Sequence, residues 1–131
     1  HTDRFKAAAP ERGVYDLVSM AGTTDFAWRD HGYFAANTTD QAGEYHRNSP
    51  LTHAARVRTP LLIIHSEGDL RCPIGQAEQY FRAVAWAGEA EVRFLRYGPE
   101  ASHELSRGGP PDLRLDRQRR IHAWFDRFLK S

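Results

Sequence analysis

One cysteine, Cys72, stands in 131 residues. No disulfide can therefore form within the chain, and such sparing use fits a reducing compartment, here taken to be the cytoplasm. Long apolar runs are missing too. The longest aliphatic stretch, Leu61-Leu62-Ile63-Ile64, is four residues, against the roughly 20 that a membrane helix needs, and no signal peptide is visible. Neither sign of charge dominates. Lys and Arg number 18 against 17 Asp and Glu, a net charge of +1, which makes no case for a nucleic acid, an anionic membrane or an acidic partner. The seven histidines (1, 31, 46, 53, 65, 103 and 122) show neither HExxH nor paired Cys/His spacing, so no metal and no cofactor is expected. Arginines 107, 114, 117, 119, 120 and 127 crowd the end of the chain, but Asp112, Asp116 and Asp126 interleave with them, as on a solvated helix face. The chain opens on His1 without an initiator methionine and enters strand-like sequence almost at once. That is expected of a piece cut from a longer polypeptide.

What is present suits one α/β domain. Hydrophobic content of 40% and charged content of 27% are ordinary for a globular protein. Phe5 to Val14 reads as a short strand of small residues, with Pro10 awkward in it because proline lacks a ladder donor. Tyr15 to Met20 suits a helical turn capped near Asp16. Residues 21–59 are irregular and rich in Gly, Thr, Asn and aromatics (Phe26, Trp28, Tyr33, Phe34, Tyr45), which predicts short helices or a functional surface. "PLLIIH" reads as a strand buried on both faces. Pro73 suits a first helical position, Ile74, Ala77, Phe81, Val84 and Ala85 come after it at helical spacing, and Gly88 stops that helix. "EVRFLRY" is the next strand. A last helix begins near Asp112, its face of Ile121, Trp124, Phe125, Phe128 and Leu129 stepping i, i+3, i+4, i+7, i+8. Two strands joined by a helix run parallel, so their carboxyl ends share one edge, where ligands and chemistry gather in such sheets.

Asp69 and His103 come directly after those two strands. An aspartate can hold an imidazole in one tautomer and stabilise it once protonated, and acid before histidine is the order of α/β-hydrolases. On position alone Asp69 also suits a turn-former or helix cap, and His103 a surface residue. Cys72, beside Pro73, reads as a small loop filler. The nucleophile is missing: no G-x-S-x-G occurs, and none of the serines (19, 49, 66, 102, 106, 131) lies on a glycine-flanked elbow. In hydrolase order the serine falls upstream of His1.

"SPLTHAARVRTPLLIIHSEGDLRCPIGQAEQYF", "FLRYGPEASHELSRGG" and "DRQRRIHAWFDRFL" resemble the carboxyl-terminal part of the catalytic domain of prolyl oligopeptidase-family serine peptidases, in the acylaminoacyl-peptidase-like subgroup. "HTDRFKAA" resembles the stretch just past the nucleophile-elbow helix in those enzymes. The resemblance implies the C-terminal portion of an α/β-hydrolase fold across residues 1–131, with parallel strands, crossover helices and an incomplete sheet. It implies Asp69 as catalytic acid, His103 as general base, and Arg71 as the substrate-binding arginine that takes a carbonyl before the cleaved bond. The alternative for Arg71 is a salt bridge that holds its loop. Implied partners are a peptide substrate and the remainder of the parent chain, namely the nucleophile half and an N-terminal β-propeller; homo-oligomerisation stays open. Aromatics of 26–45 would line a side-chain pocket. Three departures stand out: Pro10, the longer turn "GEAEV", and the longer loop "YGPEASH", which predicts a displaced His103 or a mobile loop. Alone, the chain is expected to be inert and to associate through an unpaired strand edge. Rival readings are an esterase-type α/β-hydrolase and a non-catalytic α/β module that only binds or oligomerises.

Overall fold

The computed structural model describes residues 4–26, 39 and 43–130. Its centre is β1, Leu61–Ser66, with all six residues buried, as a continuous apolar run between proline and a glycine turn requires. β2, Val92–Tyr97, pairs with it in parallel, in register from Leu61 opposite Val92 to Ser66 opposite Tyr97. On the other side of β1, residues 8–11 run parallel as two isolated bridges, Ala8 with Leu61 and Glu11 with Ile64. Leu62 N and Ile64 N donate to the carbonyls of Ala8 and Pro10, and Ala8 N and Arg12 N donate to those of Pro60 and Ile64. The expected strand Phe5 to Val14 is thus reduced to bridges, and Pro10 supplies the reason. It accepts in the ladder but has no N–H to return.

β1 alternates between two apolar layers, as period-2 geometry dictates. Leu62 and Ile64 join Ala7, Tyr97, Ala101, Leu105 and Trp124 on one face, while Leu61 and Ile63 join Tyr15, Ala54, Ala77 and Val84 on the other. The first face is covered by α5, Pro111–Leu129. Its Trp124 donates from the indole N–H to the Ala8 carbonyl at 3.1 Å. The second is covered by α3, Gly75–Ala87, the crossover between the strands. Gly88 ends α3 at φ +70 with its N–H on the Val84 carbonyl, a left-handed cap that favours glycine. Before β1 come α1, Leu17–Thr23, and α2, Glu44–Asn48, then a 3-10 turn over Pro50–Arg56. Asp16 caps α1, accepting from the amides of Val18 and Ser19. After β2, α4 is the short helix Leu105–Gly108. No helix among the described residues is long and apolar enough to cross a membrane.

Several sequence expectations need correction. Pro73 stands ahead of α3 rather than in it, because Gln76 N bonds back to the Pro73 carbonyl in a tighter three-residue turn. Ala85 and Leu129 are exposed. Each lies eight residues beyond a core position, Ala77 or Ile121, which at 3.6 residues per turn is about 80° round the helix and past the edge of the packed face. Arg117 leaves the solvated arginine face. It is buried and makes a two-point bond to Glu11 at 2.5 and 2.7 Å, since a buried guanidinium needs a carboxylate that matches its fork. Tyr45 is fully buried, so it packs rather than lines a pocket. Trp28, Tyr33 and Phe34 lie outside the described residues.

Gln76, also buried, joins the start of α3 to the segment before α1. Its Oε1 accepts from the amides of Tyr15 and Asp16 at 2.9 and 2.8 Å, and its Nε2 donates to the Asp16 carbonyl and Ser19 Oγ. Gln76→Leu keeps the volume but strands two backbone donors. It is expected to cost about 2–4 kcal/mol, read as a lower denaturant midpoint for the polypeptide that carries this segment. An unchanged midpoint would remove Gln76 from that role.

Candidate active site

The end of β1 turns at Gly68. Glu67 N donates to the Tyr97 carbonyl and Asp69 N to that of Ser66, so the acid's turn is stitched to both strands. A Cβ at Gly68 would stand 2.3 Å from the Pro99 carbonyl oxygen and 2.6 Å from that of Ala101. The missing side chain is what lets the loop after β2 close on the loop after β1. Asp69 is only 1% exposed. Its Oδ1 accepts from the Cys72 amide at 2.8 Å, and Oδ2 lies 2.9 Å from His103 Nδ1, with Oδ1 at 3.1 Å. Turn-forming and imidazole-holding are therefore both realised in one carboxylate. The longer loop before His103 leaves the ring within hydrogen-bond reach of the acid.

An ionised carboxylate can only accept, so the proton between the pair belongs to Nδ1. Neutral His103 then presents an unprotonated Nε2, and its side chain keeps 28% exposure, enough to meet a reacting group. Among the described serines, Ser19 Oγ receives Gln76, Ser49 Oγ bridges Leu17 N and the Tyr45 carbonyl, and Ser102 Oγ accepts from Glu104 N. None of these bonds involves His103.

His65, at the carboxyl end of β1, carries no motif that would single it out in the sequence. It is buried, its Nε2 bonds the Cys72 carbonyl at 2.6 Å, and that nitrogen lies 3.5 Å from Asp69 Oδ2. A carbonyl partner fixes the proton on Nε2. Nδ1 is buried and has no hydrogen-bond partner among the described residues. Burial lowers its affinity for a proton, so a neutral imidazole holds the Cys72 carbonyl, one peptide unit beyond the Cys72 amide that caps Asp69. The available signal was a histidine closing an otherwise aliphatic strand four residues before the acid.

The Cys72 thiol is pushed up to about 11, first by burial and then by the Asp69 charge. It therefore stays protonated at neutral pH, which suits a loop filler. Asp69, Cys72 and His103 do bring one donor each to within 4.8 Å of one another. A cation there would compete for carboxylate oxygens that the Cys72 amide and His103 already use.

Arg71 points along the same edge. Its Nε donates to Asp25 Oδ1 at 2.8 Å and its guanidinium lies 5.0 Å from the Phe26 ring centre. Thr24 Oγ1 donates to the Arg71 carbonyl and Asp25 N to the Leu70 carbonyl. The loop-holding salt bridge is thus present. Because it uses Nε, it leaves the two terminal amino groups to other partners. Asp25 had no sequence signal, being one acid in an irregular stretch. A cavity of about 920 Å³ opens elsewhere, beside Pro60 and Leu61 at the opposite end of β1.

The chain matches the model of the "Prolyl oligopeptidase family" over residues 1–131. It is 42% identical to "Uncharacterized peptidase YuxL" of Bacillus subtilis, a match covering 98% of this chain and 19% of that protein. It is 32% identical to the acylamino-acid-releasing enzyme of Arabidopsis thaliana, over 98% and 17% respectively. The structure superimposes on the acylaminoacyl peptidase of Pyrococcus horikoshii with a TM-score of 0.89 at 30% identity, over 99% of this chain and 21% of that one. The fold is accordingly the α/β-hydrolase arrangement of that domain, represented by part of its sheet. The chain spans about a fifth of the length of these relatives.

The geometry sets two expectations. Gly68→Ala should push the His103 loop off the acid's turn, because the clash is with backbone rather than with a yielding side chain. A crystal structure of the variant should show the His103 Nδ1–Asp69 bond lengthened or lost, and an unchanged bond would refute this. His65 titrates low when folded and near its usual ~6.5 when unfolded. Its contribution is therefore whole above about pH 6.5 and is lost as pH falls, when the unfolded chain takes up a proton that the folded chain refuses. His65→Gln keeps a donor for Cys72 and should flatten the loss of stability between pH 7.5 and 5.5, by at most about 1.4 kcal/mol per pH unit. Equal slopes for variant and parent would contradict it.

Proposed function

Because the chain belongs to the prolyl oligopeptidase family, we propose that residues 1–131 are the carboxyl-terminal part of a serine peptidase's catalytic domain, within a longer cytoplasmic polypeptide. Its substrates are short or acylated peptides. One observation carries the reading: at the carboxyl edge of two adjacent parallel strands, a buried carboxylate holds the imidazole of a half-buried histidine at 2.9 Å. The names borne by the relatives, acylamino-acid-releasing enzyme and acylaminoacyl peptidase, support the choice of peptide over ester.

In this reading the serine comes from a nucleophile elbow ahead of residue 1, and an N-terminal β-propeller belongs to the same polypeptide. Asp69 keeps the proton of His103 on Nδ1, so Nε2 is free to take the serine proton as its oxygen attacks the peptide carbonyl. The imidazolium formed is stabilised by the Asp69 charge. It then gives its proton to the leaving amine, and a water activated by the same base releases the acyl group. The oxyanion donors come largely from the residue after the serine. Arg71, held through Nε by Asp25, offers its terminal amino groups to a substrate carbonyl, a task for fixed donors with permanent charge.

The test is steady-state kinetics of the full-length polypeptide on an acyl-peptide and on a simple ester. Asp69→Asn should lower kcat on the peptide by about 10⁴-fold and His103→Ala at least as much. Arg71→Ala should act mainly on KM for the peptide and leave the ester little changed. Full activity in both Asp69→Asn and His103→Ala would reject the triad roles.

A further inference from the structure

Arg12 has the only positive φ among the described non-glycine residues, +44. Such a conformation is uncommon for a side chain of this size and marks a place where the surroundings impose it. The chain does not use the neighbouring glycine for this. Gly13 keeps an ordinary φ, and a Cβ there would strike the Tyr15 ring at 2.5 Å. The strained residue makes two connections that converge on the site. Its backbone N–H donates to the Ile64 carbonyl of β1, the strand that delivers Asp69. Its side chain donates from Nη1 to the backbone carbonyl of His103 at 2.8 Å, across 91 residues of sequence. The adjacent Glu11 is fixed from the other side by buried Arg117.

We infer that Arg12 is a positioning residue for His103: its left-handed backbone turns the guanidinium onto the histidine's own peptide group and ties the base to the strand that carries its acid. Asp69 fixes one end of the imidazole, whereas Arg12 fixes the main chain from which the ring hangs. The loop between β2 and His103 packs on the acid's turn through the Pro99 and Ala101 carbonyls, which holds the main chain ahead of the histidine, so the Nδ1 bond alone would leave the histidine's own carbonyl side free to move. A second anchor on the backbone removes that freedom. The inference rests on His103 acting as the general base, and its consequence is kinetic. Loss of Arg12 should affect the proton-transfer step more than substrate binding.

The experiment uses Arg12→Gly and Arg12→Lys in the full-length polypeptide. Glycine accepts the left-handed φ without strain, so that variant removes the guanidinium while leaving the backbone at ease. Its unfolding midpoint should equal or exceed the parent's. Its kcat on an acyl-peptide should fall roughly 10- to 100-fold, as a misplacement on the ångström scale gives, with KM within about twofold. Arg12→Lys, which can still donate to the carbonyl, should recover part of the loss. In parallel, the Nδ1 proton resonance of His103 in histidine-labelled protein should broaden or move in Arg12→Gly and return toward the parent in Arg12→Lys. An unchanged kcat with an unchanged resonance in Arg12→Gly would overturn the inference, as would a loss explained by a lowered midpoint in both variants. The resonance reads the ring's position regardless of chemistry. If His103→Ala keeps full activity, the base reading falls on its own, and the response of the resonance still decides the positioning role.

Discussion

The bond between Asp69 and His103 rests on a carboxylate with almost no access to water. A buried negative charge is costly unless donors replace the solvent it has lost. Here the Cys72 amide supplies one donor and His103 Nδ1 a second, while the Nε2 edge of His65 stands nearby at 3.5 Å. Each partner gives up freedom as a result. The Cys72 amide is fixed in the turn and His103 is confined to one tautomer, while burial keeps His65 neutral despite the nearby carboxylate. The orientation and tautomer of His103 are thus a consequence of satisfying Asp69.

The fold delivers those groups to one place. β1 is buried on both faces because helices cover both, and that allows it to carry an acid from the core to a sheet edge. Parallel pairing with β2 brings the second loop to the same edge. Gly68 then lets the two loops touch backbone to backbone, and Arg12 ties the segment on the far side of β1 to the histidine. Three chain segments therefore meet at one edge, although no two of them are near in sequence.

The sequence made the regular half of this legible. β1, β2, the crossover α3 and the last helix were readable because each buries a simple periodic pattern between clear stop signals, Pro60, Gly88 and the Pro110–Pro111 pair. Asp69 and His103 were readable because strand order dictates what stands at the carboxyl edge. What escaped was set by tertiary contact. His65 looked like the end of an apolar strand, Arg117 like one more surface arginine, and Arg12 like an ordinary member of a short strand over Phe5 to Val14. Asp25 lay in an irregular stretch where no period exists to be read. Nothing in one-dimensional patterning announces that a charged side chain will find a partner 106 residues away, as Arg117 does with Glu11, or that an arginine will adopt a glycine-like φ. The i+8 positions Ala85 and Leu129 show the opposite failure, a helical pattern extended further than the width of the packed face.

The central claim is that the imidazole held by Asp69 activates a serine supplied from outside residues 1–131. Labelling the full-length polypeptide with a fluorophosphonate, and then mapping its peptides, tests it most directly. The expected result is one covalent adduct, on the serine of a G-x-S-x-G segment preceding residue 1, that fails to form when His103 is replaced by alanine. An adduct on a serine within residues 1–131, or equal labelling with and without His103, would contradict the account.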